Sequence, residues 1–401
     1  MKKFALVLSG GGFKGAFQIG ALRYLKQHWS LVNPENAEMG FDVLAGVSVG
    51  SLNAVLVASK EFDALEQIWL DIGESVEHVY TSDFIDTKHQ GDELKWKLDV
   101  NMVRERFLPN VGLNLSFWEG LGLLFSNSRR QKFTRELLEN AGKDFAANFR
   151  HFRSITDNGP LRERLKGLIS KDKINNAVCK CGFVSLNDGE YYSFNQSSFK
   201  TDEEFRNAVL ASTAMPIVWE PVEKITVMEG GEDKVFNQNI DGGTRNVSPL
   251  GDVIDEINQD DPEADFTIII INCSSGMVEE GDYSEANIAG IALRALNDIS
   301  STEIFNNDLT EFLRINDIIE QVRAVHPGME IMDYDIRRGR TEKVLRRFKA
   351  IIIQPDPGIL GNTLVTNSRL NARRMEHGEK KAAEALDILS QSGGKMDLVK
   401  V

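Results

Sequence analysis

The chain has 401 residues, 42% hydrophobic and 26% charged, a composition that excludes collagen-like, low-complexity and wholly disordered proteins. Lys and Arg number 46 against 60 Asp and Glu, a formal net charge of −14, so whole-molecule attraction to nucleic acid or anionic lipid is not expected. Cys179, Cys181 and Cys273 lack metal-ligand spacing and are too few for a disulfide framework, which fits a reducing, cytoplasmic setting.

Residues 4–8 are apolar and follow Lys2 and Lys3, as in a signal peptide, but Gly10, Gly11 and Gly12 cut the run short, so it reads as a buried strand. Gly10-Gly11-Gly12-Phe13-Lys14-Gly15 then opens a helical pattern over 16–29. This loop also satisfies G-x-G-x-x-G, yet the dinucleotide fingerprint needs a second strand ending in an acid about 20 residues further on. Residues 31–39 are instead a polar loop with Pro34, which disfavours a nucleotide cofactor. The loop brings backbone N–H groups at a helix start against a phosphate or an oxyanion.

A second strand at 41–45 runs into Gly46-Val47-Ser48-Val49-Gly50 and a helical run at 51–59, the strand, turn and helix of a G-x-S-x-G nucleophile elbow. The flanking glycines permit the tight turn, and the helix dipole favours the serine alkoxide. From 59 to 173 no comparable strand occurs. Helical patterns at 62–72, 133–149 and 161–169 point to a helical insertion or cap over 60–173. Its apolar piece at 113–125 reads as packed cap core in preference to a lipid-entry surface.

Charge is uneven: residues 128–173 hold twelve Lys and Arg against six acids, and residues 251–335 hold three Arg against twenty acids. The basic stretch is therefore the part of an acidic molecule suited to peripheral membrane contact. Runs at 177–186 and 190–194 flank Asn187-Asp188-Gly189, a hairpin signal. A run at 235–240 ends at Asp241-Gly242-Gly243, and strands at 266–271 and 348–353 complete a mixed, mostly parallel α/β sheet. The basic run 337–349 reads as a solvated helix face, and no stretch approaches the roughly 20 apolar residues of a membrane-spanning helix.

Ser48 needs a base. An order of Ser48, Asp241 and then His326 or His377 would make a triad, but His326 lies in a Val-His-Pro-Gly turn and His377 in a charged helix, where it reads as a solvated surface residue. Asp241, followed by two glycines, can take the serine proton directly if burial raises its pKa.

Gly-Gly-Gly-x-Lys-Gly, Gln18-Ile19-Gly20-Ala21-Leu22, the elbow, Ala211-Ser212-Thr213-Ala214-Met215-Pro216 and Asp-Gly-Gly, in this order, resemble the patatin-like phospholipases. The resemblance covers 1–59 and 177–250, is looser at 160–168 and 374–389, and leaves 71–158 unmatched. It implies a three-layer α/β/α sandwich as a single catalytic domain over 1–401. It also implies a Ser48–Asp241 dyad that hydrolyses acyl lipids, of phospholipase A or lysophospholipase type, through an acyl-enzyme. The implied oxyanion hole draws on the backbone of Gly10, Gly11, Gly12 and Val49. Lys14 stands where the family places a basic residue, to support the loop or to meet an anionic headgroup. No metal, cofactor or nucleic acid is called for; the partner is the lipid or acyl-ester substrate. A catalytically silent lipid- or anion-binding protein on the same fold is the alternative.

Overall fold

The computed structural model describes residues 2–88, 91, 94–95, 152–260, 263–286, 288–335, 339–393 and 397–401. In chain order the elements are β1 (Lys2–Leu8), α1 (Ala16–Gln27), α2 (Trp29–Val32), β2 (Val43–Val47), α3 (Val49–Ala58), α4 (Phe62–Glu74) and α5 (Gly159–Leu168). There follow β3 (Val178–Ser185), β4 (Tyr191–Asn195), α6 (Asp202–Ser212), β5 (Val222–Glu229), β6 (Glu232–Asp241), α7 (Leu250–Asp260) and β7 (Asp265–Ile271). The last are α8 (Ile288–Leu293), α9 (Ser301–Val325), β8 (Met332–Asp335), β9 (Gly339–Val344), β10 (Lys349–Ile353), α10 (Ser368–Gln391) and β11 (Leu398–Lys400). The helical pattern expected at 133–149 and the apolar piece at 113–125 lie outside the described residues.

Nine strands form one sheet in the order β11-β10-β7-β1-β2-β3-β6-β5, with β4 also on β3. From β11 to β3 every pairing is parallel; β3–β6, β3–β4 and β5–β6 are antiparallel. The central strands are continuous aliphatic runs because both of their faces are covered. Alternate residues divide the core. Leu6, Leu8, Leu44, Ile269, Ile271 and Ile351 pack with α1, α3, α4 and α10. Ala5, Val7, Ala45, Ile268, Ile270 and Ile352 face α7 and α9 on the other side. This is a three-layer α/β/α sandwich.

Leu8 of β1 is level with Gly46 and with Ile271, so the chain leaves β1, β2, β7 and β10 along one edge. Open parallel sheets place their sites outside that edge.

Two expectations are corrected. The described part of the basic run expected as a helix face at 337–349 is not helical: β9 pairs antiparallel with β8, and Lys349 opens β10. Its charges serve sheet geometry, with Arg347 bonded to Asp397 at 2.5 Å and Glu320 at 2.9 Å and Lys349 to Asp265 at 2.8 Å. The polar loop at 31–39 begins inside a helical turn, α2, which Trp29 anchors in the core between Phe4 and Phe41.

Candidate active site

Ser48 sits between β2 and α3 with φ 56° and ψ −132°, a left-handed conformation costly for a residue with a side chain. Packing enforces it. A Cβ on Gly50 would stand against the Leu8 carbonyl oxygen, so only glycine lets α3 start this close to β1. The Ser48 N–H donates to the Ser212 hydroxyl at 3.0 Å, and the Ser51 hydroxyl donates to the Ser48 carbonyl at 2.7 Å.

Asp241 ends β6 and is buried. Its N–H donates to the Ala214 carbonyl at 2.9 Å, its Oδ1 accepts the Gly243 N–H at 2.7 Å, and its carboxyl shares one cleft with the Ser48 side chain. The Ala211–Pro216 motif therefore ties both residues down, Ser212 holding the elbow and Ala214 holding the Asp241 strand end. Burial pushes Asp241 up to about 7, against the stabilising bonds from Ser48 and Gly243.

The glycine loop lies beside the elbow: a Cβ on Gly10 would be 3.2 Å from that of Ser48. Gly12 has φ +53°, and a Cβ there would stand 2.7 Å from the Thr363 carbonyl oxygen. The Gly10 N–H is occupied by the Val247 carbonyl at 3.0 Å, which corrects its expected place among the donors. Among the described residues the N–H groups of Gly11 and Gly12 have no partner, and Val49, first in α3, has an N–H no intrahelical carbonyl can reach.

Three supports around this loop carried no sequence signal of their role. Arg374, fully buried, donates to the carbonyls of Phe13, Leu360, Asn362 and Val365 at 2.8–3.0 Å and so clamps the glycine loop to the 360–365 turn. Gln18, quoted above only as part of a helix pattern, begins a buried chain. It donates to the Ser9 carbonyl at 2.9 Å, accepts from Asn53 at 2.8 Å, and Asn53 accepts the Trp69 indole N–H at 3.0 Å. Asp308 on α9 sits beside Val247 and Ser248, the turn whose carbonyl holds Gly10, and its buried Oδ2 has no hydrogen-bond partner; burial pushes Asp308 up to about 7.

Ser48, Asp241, Gly10, Gly11 and Lys14 all line one cleft of about 280 Å³. Burial lowers the pKa of the Lys14 ammonium, against the attraction of Asp298, Glu279 and Cys273. Burial pushes the Cys273 thiol, on the cleft wall, up to about 12, so it stays protonated and unreactive at neutral pH. No group of three or more His, Cys, Asp or Glu among the described residues could hold a metal ion.

The histidines stand apart from this constellation. His326 caps the end of α9 and is exposed. His377, expected on the surface, is buried, with Nε2 accepting the Asp356 N–H at 3.0 Å. Its position in α10 faces α1, where its ring lies 5.7 Å from that of Phe17; burial lowers its pKa.

Residues 6–254 match the family of patatin-like phospholipases. The chain belongs to that family. Its membership makes it one of a group of lipid hydrolases, and the matched span contains the glycine loop, the elbow and Asp241. Among solved structures, the chain is similar to VipD from Legionella pneumophila at 15% identity, covering 96% of this chain and 67% of that one, with a TM-score of 0.35. It is also similar to ExoU from the type III secretion system of Pseudomonas aeruginosa, at 17% identity and a TM-score of 0.31. That alignment covers 95% of this chain and 53% of ExoU, so the chain spans about half of ExoU's length. No curated protein sequence matches.

Proposed function

We propose that this patatin-like chain is a serine ester hydrolase of acyl lipids, of phospholipase A or lysophospholipase type, working through a Ser48–Asp241 dyad. The observation that carries this reading is that Ser48 and Asp241 line one cleft, the carboxyl buried beside the serine with its pKa raised to about 7. A base titrating near the working pH accepts a proton without being permanently blocked by it.

In the first half-reaction the Ser48 oxygen attacks the ester carbonyl while its proton passes to Asp241. The carbonyl oxygen becomes an oxyanion facing the N–H groups of Gly11, Gly12 and Val49, where each donor is worth about 10²–10³ in kcat. Collapse expels the alcohol, which takes the proton from Asp241 and leaves an acyl ester on Ser48. In the second half water gives a proton to Asp241, attacks the acyl carbonyl and releases the fatty acid as Ser48 recovers its proton. Lys14, at the cleft wall beside the loop, is suited to an anionic headgroup.

Incubation with a fluorophosphonate probe tests the reading. Covalent labelling of Ser48 in the folded chain, lost in Ser48→Ala, is the expected result. Folded chain that neither labels nor hydrolyses a chromogenic acyl ester would instead be a silent lipid-binding member of the family.

A further inference from the structure

Seventeen large apolar side chains are exposed among the described residues, and seven of them fall within residues 277–299. Met277, Val278, Tyr283 and Leu296 line the cleft and are 63%, 39%, 42% and 40% exposed. Ile288, Ile291 and Ile299, in the same stretch but not on the cleft wall, are 87%, 55% and 52% exposed. An isolated exposed isoleucine needs no explanation, whereas four exposed apolar side chains lining one cleft, with three more in the same short stretch, do. Its described residues pair with no strand and include a π-helical turn at Arg294–Ser300, a form frequent at functional sites.

The charges on this stretch narrow the occupant. It carries Glu279, Glu280, Asp282, Glu285 and Asp298 against Arg294 alone. Arg294 is itself spent within the stretch, on Asp298 at 3.1 Å and over the Tyr283 ring at 4.8 Å. An anionic lipid surface would repel this rim. A surface bearing quaternary or primary ammonium groups beside phosphates offers the acids cations at headgroup depth, while the apolar side chains reach the acyl boundary.

We propose that residues 277–299 form a rim that seats the cleft mouth on a zwitterionic lipid surface, so that an acyl chain passes from lipid to cleft across Met277, Val278, Tyr283 and Leu296. This rests on the lipid hydrolase reading above for its choice of occupant.

The test uses the full chain carrying Ser48→Ala, so that vesicles survive, in sedimentation with phosphatidylcholine vesicles. Binding is expected, and Ile288→Asp and Ile291→Asp should each weaken it about tenfold, the scale for withdrawing one aliphatic side chain from lipid. Melting temperatures should not move, because both side chains are exposed. Added phosphatidylglycerol should weaken binding at low salt, and salt should restore it. In the active chain the double variant should retain hydrolysis of a water-soluble short-chain ester and lose hydrolysis of vesicle lipid.

Three results would overturn the proposal: no binding to phosphatidylcholine, equal binding by the double variant, or binding that phosphatidylglycerol strengthens. Retention on polylysine in place of vesicles would also overturn it, in favour of a basic protein partner. Vesicle binding by a chain that hydrolyses no soluble ester would sink the hydrolase reading and leave the rim standing.

Discussion

The first 58 residues and the stretch 272–391 contribute to the same cleft in different ways. The N-terminal region supplies the proposed nucleophile through local geometry: glycines at fixed spacing force the loop after β1 and the elbow after β2 that carries Ser48. The later stretch supplies no reacting group. It contributes the Thr363 carbonyl against Gly12, the Arg374 clamp, the Asp308 carboxyl behind Val247 and the apolar rim, all beyond the family match that ends at residue 254. Reactive atoms are encoded by short motifs, whereas their rigidity and their access route come from distant chain.

The sharpest way to break this division is to remove each part in turn. Ser48→Ala should lower hydrolysis of a chromogenic ester by about 10⁴-fold or more, the scale for loss of a nucleophile, with unfolding in urea little changed. His326→Ala should leave the rate intact; an inactive His326 variant would replace the dyad with a triad.

Asp241→Asn should cost nearly as much activity and yet stabilise the chain at high pH. Its folded pKa of about 7 lies above the ordinary value of 3.8, so the folded state keeps a proton that the unfolded state has released. Native stability therefore falls as pH rises from about 4 to about 7, by on the order of 4 kcal/mol. Thermal melts of Asp241→Asn should accordingly flatten this slope, leaving the share due to Asp308. In the wild type, log kcat/KM should rise with unit slope up to about pH 7 and then level off, since only the ionised carboxylate accepts the proton. A flat profile from pH 5 to 8 would remove Asp241 as the base.

Arg374→Ala tests the other region. It strands four buried carbonyls, and the expected loss is about 3 kcal/mol or more by urea unfolding, because bonds to a charged donor are each worth roughly 1.5–3 kcal/mol. The glycine loop loses its clamp too, so kcat should fall more than KM rises. If Arg374→Ala unfolds reversibly at lower urea yet keeps its kcat, the later stretch stabilises the fold without shaping the loop. Ser212→Ala should have the smallest effect: one unpaired buried N–H at Ser48, about 1–3 kcal/mol of stability, and a drop of roughly tenfold in kcat.

Much was legible because it is local. The strands at 4–8, 266–271 and 348–353 are aliphatic runs buried on both faces, and the Asp188-Gly189 hairpin needs only its own turn. The run 337–349 misled for the same reason in reverse. Its charges suggested a solvated helix, but their partners Asp265, Glu320 and Asp397 lie far away in sequence, on β7, on α9 and beside β11. His377 looked solvated among charged neighbours, and α10 turned it onto α1 instead.

By itself the sequence determined the turn that carries Ser48 and the glycine loop beside it, because glycine spacing and strand-turn-helix order act within a few residues. Only the tertiary structure decided what they can do. Ser212 reaches Ser48 across 164 residues, Arg374 reaches Phe13 across 361, and burial of Asp241 among such contacts is what lifts its pKa. Burial and long-range hydrogen bonding are properties of packing, and no window of sequence contains them.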